Sequence, residues 1–201
     1  NSGGVTFDAS VAGTTLKGGS GNDDLAGAAG NDVITGGAGN DTLAMGAGGI
    51  DNIDGGAGDD SVTLTGLTKD DTVAGGAGTD TLITAAAIAY DDEATPTPID
   101  VGVNISGFEV FRNTAALSQD MAALDGIVAA SSTSGVLTAT EASGIADYYA
   151  LANSTGLDIT LATDGTADSL NIHMGDDEAQ SNSTGVTIDA IEIETALIAS
   201  K

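Results

Sequence analysis

The sequence predicts an all-β chain: a parallel β-roll, or β-solenoid, of nonapeptide repeats, followed by a further strand-rich, solenoid-like region with a short helix. Three observations carry that expectation. Residues 18–83 fall into a nonapeptide register. Within the register one column is always Asp and another is always aliphatic. Beyond residue 83 the glycine pattern stops, but short alternating apolar runs continue between Gly, Asn, Asp and Ser.

Composition narrows the function classes. The 201 residues suffice for one or two domains with a buried core. At 41% hydrophobic residues and a mean hydropathy of +0.13, the chain is too apolar for an acidic disordered segment. Against 30 Asp+Glu stand 4 Lys+Arg, a formal net charge of −26. Such a surface repels nucleic acid and anionic lipid, so no nucleic-acid partner is expected. Divalent cations, or solubility at high salt, are the roles left to the acid. The absence of Cys excludes disulfides and thiolate metal sites. His173 is the only histidine, which removes the usual zinc clusters and His-based triads. No apolar run approaches a membrane span, so no membrane insertion is expected. The opening Asn1-Ser2-Gly3-Gly4 has neither Met nor a signal-peptide pattern, and the chain is read as a piece of a longer protein.

Residues 1–17 are taken as lead-in strands. The repeats follow as GGSGNDDLA (18–26), GAAGNDVIT (27–35) and GGAGNDTLA (36–44), with Met45 extra. GAGGIDNID (46–54) and GGAGDDSVT (55–63) come next, with Leu64 and Thr65 extra, before GLTKDDTVA (66–74) and GGAGTDTLI (75–83). The sixth position is Asp23, Asp32, Asp41, Asp51, Asp60, Asp71 and Asp80; the eighth is Leu25, Ile34, Leu43, Ile53, Val62, Val73 and Leu82. A flexible Gly-rich linker would not hold an aliphatic residue in that register.

Glycine lets the backbone turn sharply and expose carbonyls. The three residues after each Asp make one short strand with the eighth side chain inward. Only stacked copies bury that side chain, at roughly 1.5–3 kcal/mol each. If two repeats complete a turn, one edge carries Asp23, Asp41, Asp60 and Asp80, and the other Asp32, Asp51 and Asp71. At the ~4.8 Å strand spacing and an effective dielectric near 20, neighbouring carboxylates repel by about 3 kcal/mol per pair. The roll therefore needs cations to close. Carboxylates with many flexible carbonyls make a hard oxygen shell suited to several Ca²⁺ ions rather than to Mg²⁺ or nitrogen- and sulfur-seeking metals. Calcium binding and folding are expected to be one event. The sixth copy has lost its second and fourth glycines and carries Lys69, so its site is expected to be weak or empty.

These residues resemble the repeats-in-toxin (RTX) family, whose consensus is G-G-x-G-x-D-x-aliphatic-x. GGSGNDDLA, GGAGNDTLA, GGAGDDSVT and GGAGTDTLI match every defined position, and the match runs from Gly18 to Ile83, about a third of the chain. The resemblance implies a parallel β-roll with Ca²⁺ between same-edge loops, and type I secretion. Its ligand scheme takes the second and fourth carbonyls and the Asp of one loop, with the first and third carbonyls and the Asp of the loop one turn later. Carried onto this sequence, one site takes Gly19, Gly21, Asp23, Gly36, Ala38 and Asp41. The next takes Gly37, Gly39, Asp41, Gly55, Ala57 and Asp60, and a third Gly56, Gly58, Asp60, Gly75, Ala77 and Asp80. The opposite edge offers Ala28, Gly30, Asp32, Gly46, Gly48 and Asp51, with Asp71 beyond. Spacing along the first edge widens from 18 to 19 to 20 residues.

Over residues 84–201, strands are expected at Val101–Ile105, Val136–Thr140, Leu157–Leu161, Leu170–Met174 and Val186–Ile193. Leu117, Met121, Leu124 and Val128 have helical spacing, which predicts a short amphipathic helix over 117–128. Matching fragments, among them Phe108-Glu109-Val110 with Ile191-Glu192-Ile193, outline a module of about 85 residues. The DDEA runs at 91–94 and 176–179 read as solvated acidic loops or extra cation sites, and Thr95–Pro98 as a surface loop. His173 reads as a strand residue. No nucleophile elbow, phosphate-binding glycine loop or HExxH helix is present, so no catalytic residues and no enzyme are expected.

The repeats, with ISGFEVF and a Thr/Ala-rich strand region ending TADSLNI and IDAIEIE, also resemble bacterial surface-layer proteins. That likeness implies a structural, extracellular segment of the cell surface. Its partners are further copies of itself through calcium-mediated contacts, and a cell-surface polysaccharide reached through another part of the full protein. Two alternatives stand beside it: an RTX adhesin segment, and the C-terminal secretion domain of a type I-secreted hydrolase.

Overall fold

A nonapeptide supplies one short strand and one glycine corner, so the chain can only stack its turns. The computed structural model describes residues 3–88, 104–121, 124, 126–133 and 135–140, and the strands at 147–150, 154–160, 169–174, 186–189 and 195–200. All its strands pair in parallel, as a β-solenoid; no α-helix occurs among the described residues. The chain divides into two compact units, residues 1–83 with 88–109, and residues 84–87 with 110–201.

In the first unit the strands are β1 (Thr6–Asp8), β2 (Thr15–Ser20), β3 (Asp24–Ala26), β4 (Val33–Ala38), β5 (Thr42–Ala44), β6 (Asn52–Ala57), β7 (Ser61–Thr63), β8 (Thr72–Ala77), β9 (Thr81–Thr84) and β10 (Ile105–Ser106). Odd strands β1-β3-β5-β7-β9 form one wall; β10-β8-β6-β4-β2 form the other. Successive repeats therefore alternate walls, and two complete a turn. The register is that of the eighth position: Leu25 pairs with Leu43, Leu43 with Val62 and Val62 with Leu82. On the other wall Leu16, Ile34, Ile53, Val73 and Ile105 stand in line. All seven eighth-position side chains are buried, the two columns facing inward as strand alternation requires.

The extra residues are used rather than tolerated. Met45 and Leu64 are buried. Their N–H groups donate to Thr63 O at 3.0 Å and Ile83 O at 2.8 Å, so each corner is longer but still laddered. Both insertions therefore add core without breaking register.

The second unit contains β11 (Val110–Asn113), β12 (Leu117–Asp120), β13 (Ala129–Ser132), β14 (Gly135–Thr140), β15 (Asp147–Ala150), β16 (Ser154–Thr160), β17 (Ser169–Met174), β18 (Val186–Asp189) and β19 (Thr195–Ser200). Here β11-β13-β15-β17-β19 and β12-β14-β16-β18 are the parallel runs. Four of the five expected runs overlap β14, β16, β17 and β18, and the end of the fifth lies in β10. His173 lies in β17, opposite Tyr149 and Ala199. Residues 91–94, 95–98, 176–179 and 191–193, on which other expectations fell, lie outside the described residues.

The helix expected over 117–128 is corrected. Leu117–Asp120 is a strand, paired residue for residue with Leu137–Thr140. Its apolar spacing has another origin: Met121, Leu124 and Ile127 are buried in the corner after the strand, where Leu124 N–H donates to Met121 O. Val128, which a helical stripe would bury, is 51% exposed. About three turns of helical spacing cannot outweigh a full parallel ladder.

Candidate metal centre

The repeat carries its Asp at the corner between glycine loop and strand, where a short side chain meets the backbone one turn away. Each of these carboxylates binds the turn before it. Asp23 N–H donates to Asp41 Oδ1 at 2.7 Å, Asp41 N–H to Asp60 Oδ1 at 2.7 Å, and Asp60 N–H to Asp80 Oδ1 at 2.8 Å. Val5 N–H starts the series by donating to Asp23 Oδ1 at 2.7 Å. On the opposite edge Thr14 N–H donates to Asp32 Oδ1 at 2.6 Å, Asp32 N–H to Asp51 Oδ1 and Asp51 N–H to Asp71 Oδ1, both at 2.8 Å. Both series stay unbroken as spacing grows to 20 residues. All seven carboxylates are buried, none more than 3% exposed.

One oxygen of each is thereby satisfied. At Asp23, Asp32, Asp41, Asp60 and Asp80 the other oxygen, Oδ2, is buried with no hydrogen-bond partner. Buried polar atoms are rarely left this way, and a carboxylate oxygen least of all. The first-position glycines show where these oxygens point. A Cβ on Gly18 would collide with Asp23 Oδ2 and lie 2.6 Å from the Gly36 carbonyl oxygen. On Gly36 it would collide with Asp41 Oδ2 and lie 2.5 Å from Gly55 O; on Gly55 it would lie 2.6 Å from Asp60 Oδ2 and collide with Gly75 O. Each first glycine thus leaves room for an orphaned carboxylate oxygen and a carbonyl from the next turn. On the opposite edge, Asp32 Oδ2 lies 2.8 Å and 2.9 Å from where side chains on Gly27 and Gly46 would begin, with Ala28 O against Gly46.

The remaining predicted ligands sit around these cradles. Gly19, Gly37, Gly56 and Gly76 stand in register at positive φ, and Gly37, Gly56 and Gly76 each lie too close to the carbonyl one turn earlier for any side chain. Gly39 stacks on Gly21 and Gly58 on Gly39. The third-position carbonyls of Ala38, Ala57 and Ala77 accept from the N–H groups of Gly21, Gly39 and Gly58 at 2.7–2.9 Å. Gly48 O accepts from Gly30 N–H at 3.0 Å in the same way. Each such carbonyl retains a second lone pair.

Asp71 is different. Its Oδ2 accepts from Thr68 N–H at 2.6 Å, within its own loop. Lys69, which the sequence reading held against this site, is not the cause: its Nζ pairs with Asp70 at 2.6 Å on the surface. The lost glycines let the loop fold back, and a backbone donor takes the oxygen.

Two features went unread in the sequence. The fifth position builds a second ladder, in which Asn22 Oδ1 accepts from Asn40 N–H, Asn40 Oδ1 from Asp59 N–H and Asp59 Oδ1 from Thr79 N–H, at 2.8–3.0 Å. The Asn-or-Asp run in that column was its visible signal. Beyond the last repeat, Glu109 Oε2 accepts from Asp80 N–H at 2.8 Å.

Electrostatically the column is strained. Burial raises the carboxyls of Asp41, Asp51 and Asp80 above the usual Asp range. Asp60 is pushed up to about 6, chiefly by burial, against the lowering effect of Asp41 N–H and with the charges of Asp41, Asp80 and Asp59 adding to the rise. Among the described residues no three acidic or imidazole side chains converge on one point. A cation held here must therefore draw on carbonyls. Buried orphaned carboxylate oxygens, facing carbonyls and vacant Cβ positions fit a hard, many-oxygen ion such as Ca²⁺.

A family model described as the RTX calcium-binding nonapeptide repeat (4 copies) matches residues 13–43, 45–63 and 63–86. These residues are RTX repeats. RTX repeats bind Ca²⁺, and the RTX roll is a structural calcium-binding fold. Searches of curated proteins and of solved structures found no match.

Proposed function

We propose that this chain is a structural segment of an extracellular protein, set into shape by calcium and assembling with copies of itself on a cell surface. The observation that carries the calcium part is the series of buried Oδ2 atoms on Asp23, Asp41, Asp60 and Asp80, each beside a first-position glycine that a side chain would block. Ions there are held by the ligand sets Gly19, Gly21, Asp23, Gly36, Ala38 and Asp41, then Gly37, Gly39, Asp41, Gly55, Ala57 and Asp60, then Gly56, Gly58, Asp60, Gly75, Ala77 and Asp80. The chemistry an ion supplies is charge compensation: it removes the carboxylate repulsion that opposes closing the roll. Asp32 anchors a further site with Ala28, Gly30, Gly46, Gly48 and Asp51. Asp71 makes the weakest site of the series, because its Oδ2 already accepts from Thr68 N–H.

The assembly reading is supported by three features. RTX-repeat proteins are typically secreted or surface-associated, the chain is strongly acidic, and parallel strands fill the second unit as well as the first. Stacked parallel strands of this kind are suited to scaffolding rather than to catalysis. Electron microscopy of the isolated chain with and without calcium tests it. Ordered two-dimensional sheets formed only with calcium are expected; monomeric rods under all conditions would replace self-assembly with an adhesin-like spacer.

A further inference from the structure

The row of cradles does not end where the repeats end. Gly75 opens the last nonapeptide, and its would-be Cβ lies 2.9 Å from Asp80 Oδ2 and collides with the carbonyl oxygen of Gly107. This is the arrangement at Gly18, Gly36 and Gly55, with one difference: the facing carbonyl comes from outside the matched repeats, which stop at residue 86. Strand β10 puts it there. Ile105 pairs with Val73 and Ser106 with Ala74, so Gly107 lands on Gly75 as the first residue of another turn.

From that point the chain economises. A nonapeptide places four residues between its first glycine and its Asp; here only Phe108 separates Gly107 from Glu109. Phe108 is buried, 1% exposed. Glu109 N–H donates to Asp80 O at 3.1 Å, as Thr81 N–H does to Asp60 O, so Glu109 stands one ladder position past the usual acid. Its longer side chain makes up the difference by reaching back to Asp80 N–H, the donor that an Asp one turn later would have taken. Asp80 is fully buried, its Oδ2 has no partner, and the Glu109 charge helps raise its pKa.

We propose that Asp80, Glu109 and the Gly107 carbonyl form a further divalent-cation site that closes the roll beyond its last repeat. It takes a hard cation, Ca²⁺, because every donor is oxygen and two are carboxylates. Gly107 is exposed, which gives the ion an entry. The site ties residues 104–109 to the roll with charge where sequence repetition has run out, and it rests on calcium filling the repeat cradles.

The test counts ions on the full chain. Glu109→Gln keeps an acceptor for Asp80 N–H and removes only the charge. Equilibrium dialysis with Ca²⁺ is expected to return one ion fewer than the unmodified chain, with the circular-dichroism strand signal at saturating calcium unchanged. An equal count with equal affinity overturns the proposal. Should Glu109→Gln fail to fold, anomalous difference maps from crystals of the unmodified chain grown with Tb³⁺ decide. A peak within ligand distance of Asp80 Oδ2 and Gly107 O supports the site; peaks at the repeat cradles with none here overturn it alone. No peak anywhere overturns the calcium reading of the repeats themselves.

Discussion

The two edges of the roll carry the same acidic column in different surroundings. Along Asp23, Asp41, Asp60 and Asp80 every carboxylate keeps one buried oxygen without a donor, beside a first glycine and a facing carbonyl. Along Asp32, Asp51 and Asp71 only Asp32 repeats that arrangement, and Asp71 satisfies both oxygens from backbone N–H groups. An Asp in the sixth position does not by itself leave an oxygen without a donor. What leaves one is a loop too tight, and too rich in glycine, to supply the second donor.

Withdrawing calcium is the largest perturbation of that contrast. Adding a chelator is expected to abolish the strand signal of residues 18–83 in far-ultraviolet circular dichroism, because the first edge then holds four uncompensated carboxylates. A spectrum that does not change would mean that the Oδ1 ladder alone holds the roll.

Glycine substitutions sharpen the comparison. Gly36→Ala drives a methyl into Asp41 Oδ2 and Gly55 O, so it is expected to lose an ion and to cost about 1–3 kcal/mol in overpacking besides. Gly48→Ala meets nothing within 4 Å and pays only for its φ of +71°, about 1–2 kcal/mol, with the ion count unchanged. Urea unfolding at saturating calcium, with ion counting, separates the two.

Carboxylate substitutions should differ in their dependence on calcium. Asp60→Asn is expected to destabilise the calcium-loaded roll and stabilise the calcium-free one, since it removes both a ligand and a buried charge. Asp71→Asn turns an amide toward Thr68 N–H and is expected to cost about 1–3 kcal/mol, equally with and without calcium. Thermal melts in both conditions show whether the sign reverses at Asp60 alone.

The smallest effect is that of pH on the calcium-free chain. Asp60 has a folded pKa of about 6 against an ordinary 3.8, so the folded state binds the extra proton. Stability is therefore fully present below the unfolded pKa and falls as pH rises from about 4 to about 6. Acidifying a chelated sample through that window is expected to restore strand signal; further loss of signal would contradict the burial of this column.

Much of the roll was legible because its determinants are local and repeated. A sixth-position Asp and an eighth-position aliphatic recur often enough that register, wall and edge follow by counting. The second unit was less legible. Asp147–Ala150 and Thr195–Ser200 become strands through pairing with Asn171–Met174 and with Ser169–Met174, partners too distant in sequence for a short window to reveal. Leu117–Asp120 imitated a helix because a strand followed by a buried corner also places apolar residues three and four apart.

By itself the sequence determined which residues repeat, that their acid cannot be buried uncompensated, and that oxygen rather than nitrogen or sulfur must meet the ion. Only the folded chain decided which acids remain in need. Thr68 N–H reaches Asp71 because that loop lost its glycines, while Glu109 reaches Asp80 from a turn that no longer resembles a nonapeptide. Whether a buried oxygen is satisfied depends on which donor the stacked backbone brings within hydrogen-bond range, and stacking joins residues 18 to 29 positions apart.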